Sequence, residues 1–183
     1  MKKNLLVFLA LLSLAAAAQA KNMSAALTVS YLGKADSGFK EIYGSGGIQP
    51  GLRLEALLGK GISLYGSYDY FSKKGKTPVL QEDASSRQHF ISAGAAWRKG
   101  LSEKLDWSLY GGLLLISYQE EALGETVKEN AFGVELGGSL QYKMSSRLFL
   151  FPFVSYMIAN DSVGEVEVKL GGFKVGVGLG IKF

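Results

Sequence analysis

The chain has 183 residues, 48% hydrophobic and 20% charged, with a formal net charge of +4, one histidine and no cysteine. That length suits one domain, and the hydrophobicity excludes a disordered chain. Lys2 and Lys3 supply part of the positive charge, no basic stripe for nucleic acid remains, and without cysteine there is neither a disulfide framework nor a thiolate metal site.

Residues 1–20 are an address. Met1 to Asn4 form a positive head, Leu5 to Ala18 are apolar except for Ser13, and Ala18-Gln19-Ala20 is a small-x-small cleavage pattern. These features predict a secretory signal peptide, cleaved after Ala20, with residues 21–183 as one mature domain. The apolar stretch is short of the ~20 residues that a spanning helix needs. The later runs Leu113 to Ile116 and Leu148 to Val154 are shorter still.

The mature chain alternates instead. Side chains two apart on a strand share a face. Ala25 to Leu32 sets Leu27, Val29 and Tyr31 against Thr28 and Ser30. Gly51 to Leu58 sets Leu52, Leu54, Ala56 and Leu58 against Gly51, Arg53, Glu55 and Leu57. Ile62 to Phe71 sets Ile62, Leu64, Tyr68 and Tyr70 against Ser63, Tyr65, Ser67 and Asp69. Two further strands put Ile91, Ala93, Ala95 and Trp97, then Trp107, Leu109, Leu113 and Leu115, on one face. In the next, Phe132, Val134, Leu136, Gly138, Leu140 and Tyr142 oppose Gly133, Glu135, Gly137, Ser139, Gln141 and Lys143.

Leu148 to Ile158 is apolar on both faces, which leaves its orientation open, and Pro152 removes a ladder donor there. The last strand is the clearest. Phe173, Val175, Val177, Leu179, Ile181 and Phe183 take every second position, with Lys174, Gly176, Gly178, Gly180 and Lys182 between them. About eight such strands, with one apolar face each, predict an all-β fold: an eight-stranded antiparallel up-and-down transmembrane β-barrel, lipid outside and polar lumen inside.

The connectors alternate in length. Gly59 to Gly61, Lys99 to Leu105 and Met144 to Arg147 are short turns; Lys34 to Gly46, Ser72 to Gln88, Gln119 to Asn130 and Ala159 to Lys169 read as long polar loops. Trp97 and Trp107 fall near the short-turn end, and Tyr31, Tyr68, Tyr70, Tyr118 and Tyr156 near the long-loop end. Rings of this kind gather at the two membrane interfaces, so these seven residues are the expected aromatic girdle. The inward glycines Gly176, Gly178 and Gly180 leave room for bulkier inward groups in a lumen only wide enough for side chains.

Arg53, Glu55, Asp69, Arg98, Asp106, Glu135, Gln141, Lys143 and Lys174 are expected to face the lumen as a polar network, since charges there must be paired or hydrated. A narrow ion path is the functional alternative, with Arg53 and Glu135 at its constriction. His89 lies near Asp83, Ser85 and Ser86, the residue types of a Ser–His hydrolase. A lone histidine at a loop end is more commonly an ordinary rim residue. Glu120, Glu121, Glu125 and Glu129 lack the spacing of a calcium loop, so no metal and no cofactor are expected. Lys73, Lys74, Lys76 and Arg87 make the second loop basic, suited to lipopolysaccharide phosphates.

The signal peptide, the hairpin spacing and the ending Val177-Gly178-Leu179-Gly180-Ile181-Lys182-Phe183 resemble the small eight-stranded outer-membrane proteins: OmpX-like proteins, the OmpA transmembrane domain and opacity-type surface proteins. Tyr110-Gly111-Gly112 and Pro152-Phe153-Val154 are similar to marked strands of that group. The resemblance implies that Val177, Leu179, Ile181 and Phe183 form a signal read by the barrel-assembly machinery. It implies a monomer in the outer membrane of a Gram-negative cell envelope, with a structural, surface-interaction or adhesion role, in contact with lipid and lipopolysaccharide. Lipid A-modifying barrels are an enzymatic alternative within the same architecture. Their deacylase type resembles a His and a Ser two apart near the C-terminal strands, which this chain lacks.

Overall fold

The structure is a computed structural model that describes residues 22–163 and 166–183. The expected signal segment, residues 1–20, lies outside the described residues. The elements are β1 (Asn22–Lys34), α1 (Ser37–Tyr43), β2 (Gly46–Gly59), β3 (Ile62–Lys76), β4 (Asp83–Gly100), β5 (Leu105–Ala122), β6 (Glu125–Lys143), β7 (Leu148–Val163), β8 (Val166–Lys169) and β9 (Gly172–Lys182).

Each of β1 to β7 pairs antiparallel with the next, β7 pairs with β9, and β9 returns to β1. The sheet closes into a barrel of eight staves, with β8 a short annex on β7. Asn22 and Lys182 lie at one end, called proximal here; Lys34 and Gly172 lie at the other, distal end.

The alternation of the sequence becomes the wall of the barrel. Leu54, Leu136, Phe173 and Val177 are 46%, 61%, 52% and 45% exposed, while their neighbours Glu135 and Lys174 are buried. A closed sheet with an apolar outer face pairs its backbone from strand to strand, which is the condition for spanning a membrane with strands.

β7, which the sequence leaves unoriented, turns Phe149, Phe151 and Phe153 inward and Leu148, Leu150 and Val154 outward. The phenyl rings fit because Gly180, Gly178 and Gly176 stand beside them on β9. A β-carbon on these glycines would lie 2.2, 2.1 and 2.7 Å from ring atoms of Phe149, Phe151 and Phe153. Pro152 faces outward, and the β6–β7 ladder skips from Ser139–Phe153 to Tyr142–Leu150 around it.

The long loops expected from the sequence are mostly strand. β3 and β4 stay paired as far as Lys76–Asp83, and β5 and β6 as far as Ala122–Glu125. Leu123 and Gly124 have φ of 56° and 76°, the left-handed pair of a two-residue hairpin turn. Both faces of a hairpin can be polar while the backbone ladder continues, so the loss of alternation does not mark the strand end. The stretch between β1 and β2 folds as α1, capped by Asp36, whose Oδ1 accepts from Phe39 N at 2.7 Å.

Candidate functional site

The lumen is filled in three layers. Nearest the proximal end, Glu55 accepts from Ser63 Oγ and Arg98 Nη2, both at 2.6 Å, and lies 3.8 Å from Arg53 Nε. Lys143 pairs with Asp106 at 2.9 Å.

Midway, Lys174 Nζ stands 3.0 Å from Glu135 and 3.2 Å from Asp69. Glu135 also accepts from Ser92 and Ser155, each at 2.8 Å. The Arg53 guanidinium lies between the rings of Tyr65 and Tyr110, 4.1 and 4.4 Å from their centroids, a cation–π placement that suits a desolvated arginine. Each buried charge is therefore met by an opposite charge, a hydroxyl or a ring face, as burial requires.

The distal layer is an apolar cluster that encloses a few buried polar groups, Lys34, Gln49, Ser86 and Gln88. Leu32, Phe71, Phe90, Leu114, Ile116 and Met157 line it, and Phe39 and Tyr43 of α1 enter it from above. Tyr43 donates to Glu120 Oε2 at 2.8 Å. Burial raises the Tyr43 phenol well above its ordinary value, and the Glu120 carboxylate adds to the rise. Asp36 Oδ2 accepts from Lys169 N at 2.9 Å, tying the helix to β8. Lys34, buried among Phe39, Phe71 and Phe90, donates to Gln88 Oε1 and to the Leu170 carbonyl. α1 is thus a plug held by an apolar face, a phenol, an aspartate and a buried ammonium. Two gaps left among the polar layers have volumes of about 20 and 10 Å³, the room of a single water or less.

All nine residues expected in the lumen point inward from their strands. Gln141 has both amide atoms buried without a partner. Arg53 and Glu135 line the same small gap, but one is held by rings and the other by hydroxyls and Lys174, so neither stands free at a constriction.

Trp97 and Trp107 meet edge to face at 5.3 Å near the proximal end. Tyr31, Tyr68 and Tyr156 are exposed on the outer wall, and Tyr70 packs against His89. Tyr118 corrects the expected girdle. It shares the inward parity of Leu114 and Ile116, is buried, and donates to Asp161 at 3.0 Å. Val177, Leu179, Ile181 and Phe183 all face outward.

The residue types of a hydrolase do not assemble. His89 Nδ1 meets Tyr68 Oη at 2.8 Å on the outer wall. Ser86 faces the lumen and donates to Glu120 at 2.6 Å. Ser85 shares the outer face with His89 but sits four residues along the strand, roughly 13 Å at the usual rise. The basic residues split likewise: Lys74, Lys76 and Arg87 are exposed on the outer face, while Lys73 turns inward over Gly47. Lys34, Tyr65, Tyr110 and the α1 contacts lie outside the expected polar network, although alternation sets Tyr65 on the inward face of its strand. The pattern Asp36-x-x-Phe39 with Tyr43 four residues on was the available signal for the helix.

A sequence family described as "Outer membrane protein beta-barrel domain" matches residues 5–182. No curated protein matches the sequence. Among solved structures, OprG from Pseudomonas aeruginosa superposes with a TM-score of 0.71 at 11% identity, over 90% of this chain and 96% of that one. Neisserial surface protein A gives 0.67 at 11% identity, over 88% and 96%. Ail, the attachment invasion locus protein of Yersinia pestis, solved with the heparin analogue sucrose octasulfate, gives 0.61 at 13% identity, over 88% and 98%. At these identities the likeness is one of fold.

Proposed function

Since the chain belongs to the outer membrane protein beta-barrel domain family, we propose that it is a sealed barrel that works from its outer surface, as a structural and surface-contact protein of the envelope. The observation that carries this reading is the filled lumen: an ion-paired polar belt beneath an apolar plug. A barrel packed this way offers its distal hairpins and outer wall, and not its interior, to partners.

In this reading residues 1–20 direct export and are removed after Ala20, the proximal end faces the periplasm, and the distal hairpins face outward. The barrel-assembly machinery reads Val177, Leu179, Ile181 and Phe183, and the protein stays monomeric. Lys74, Lys76 and Arg87 stand on the outer wall just distal to Tyr68 and Tyr70, the level at which lipopolysaccharide phosphates meet the lipid. Charge-assisted contact with phosphate is the chemistry these side chains supply. Ail holds a sulfated sugar analogue on a barrel of the same fold, which agrees with polyanionic sugars as partners.

The test is the Lys74→Gln, Lys76→Gln, Arg87→Gln triple variant, produced at the normal level in the outer membrane. Weakened binding to purified lipopolysaccharide and reduced polymyxin tolerance are expected. Binding and tolerance equal to those of the parent chain would overturn the lipopolysaccharide contact.

A further inference from the structure

The proximal mouth contains a cavity of about 260 Å³ lined by Met23, Ser24, Glu55, Leu57, Arg98 and Lys182. Its charges do not balance. Glu55 is already shared between Arg98 and Arg53, and Asp106 is taken by Lys143. Among the described residues no carboxylate pairs with Lys182, whose ammonium instead sits 5.7 Å from the Phe149 ring. Arg98 uses Nη2 on Glu55 while its Nε has no acceptor.

We propose that this mouth binds a phosphate group between Arg98 and Lys182. A guanidinium beside a point-charge ammonium is a chemistry suited to a phosphate. Two cations in one cavity against a single, already shared carboxylate favour a group that can carry two charges over a carboxylate. The hydroxyl of Ser24 adds a donor, and Met23 and Leu57 give a carbon stem an apolar wall. The phosphate comes either from a free anion or from a lipid headgroup of the adjoining leaflet. Glu55, held by Arg98, Ser63 and Arg53, fixes the guanidinium at the cavity wall.

The test uses protein purified from outer membranes in maltoside micelles, with arginine side-chain resonances followed by NMR. Sodium phosphate and dihexanoyl phosphatidic acid are titrated separately, against sodium chloride of equal ionic strength and sodium acetate. A saturable shift of the Arg98 signals with either phosphate probe, at least tenfold weaker with acetate and absent with chloride, is expected. A response to the lipid alone assigns the headgroup, and a response to inorganic phosphate assigns the free anion. Lys182→Gln should weaken the response at least tenfold and Lys182→Arg should retain it, both checked for folding by heat-dependent gel mobility. No saturable shift with either probe, or an equal shift in Lys182→Gln, would overturn the proposal.

Discussion

Gly178 pairs with Phe151 across the β7–β9 ladder, and the phenyl ring fills the space of the missing side chain: a β-carbon there would lie 2.1 Å from Cε1. The lumen is thus shaped by a glycine stripe on one stave and an aromatic stripe on its neighbour. Gly178→Ala forces the ring off its position, an overpacking that costs about 1–3 kcal/mol. Urea unfolding in lipid vesicles should show that loss, and Gly178→Ala with Phe151→Leu should recover part of it. An unchanged midpoint for Gly178→Ala would contradict the packing described.

Lys174 neutralises two carboxylates, Glu135 and Asp69, all three buried. Removing one partner of a buried ion pair costs about 3–5 kcal/mol, because the other charge is left uncompensated. Lys174→Met should lower the unfolding midpoint by that order. Lys174→Met with Glu135→Gln should fall less, since one stranded carboxylate has become neutral. A double variant less stable than the single one would show that the pairing is not what holds this layer.

The plug should come loose without the barrel. Phe39 is buried, but α1 makes few contacts outside the distal layer, so Phe39→Ala should release the segment 35–45 while global unfolding barely moves. Faster proteolysis and amide exchange confined to that segment are expected. A uniform drop in barrel stability would contradict a separable plug.

Docking of α1 should also weaken in alkali. The Tyr43 phenol is held protonated beyond its ordinary range, first by burial and then by Glu120. A free tyrosine ionises at about pH 10. Above that pH the released segment binds fewer protons than the docked one, so docking loses stability as pH rises. The protection of the 37–43 amides relative to their intrinsic, base-catalysed exchange should fall above about pH 10, and Tyr43→Phe should keep it constant with pH. The same alkaline loss of protection in Tyr43→Phe would exclude the phenol as its cause.

The wall of the barrel was legible because lipid and lumen impose a period of two, clearest from Phe173 to Phe183. That signal fails where both faces are alike. β7 reads as apolar throughout because Phe149, Phe151 and Phe153 face glycines instead of polar groups, a fact that lies on another strand. The distal hairpins read as loops because both faces turn polar beyond the lipid, and Leu123-Gly124 is an uncommon sequence for a tight turn. Tyr118 was legible in principle: it has the parity of Ile116, not of Leu115. Each lumen residue is marked by the alternation of its own strand, but the rings around Arg53 come from β3 and β5, and no local pattern announces such a meeting.

Planar-bilayer conductance of the purified protein tests the sealed lumen most directly. A barrel filled by the Lys174 cluster and plugged by α1 should insert without producing stable conductance steps. Steady open-channel steps in the unaltered chain, with ion selectivity changed by Arg53→Gln or Glu135→Gln, would contradict it.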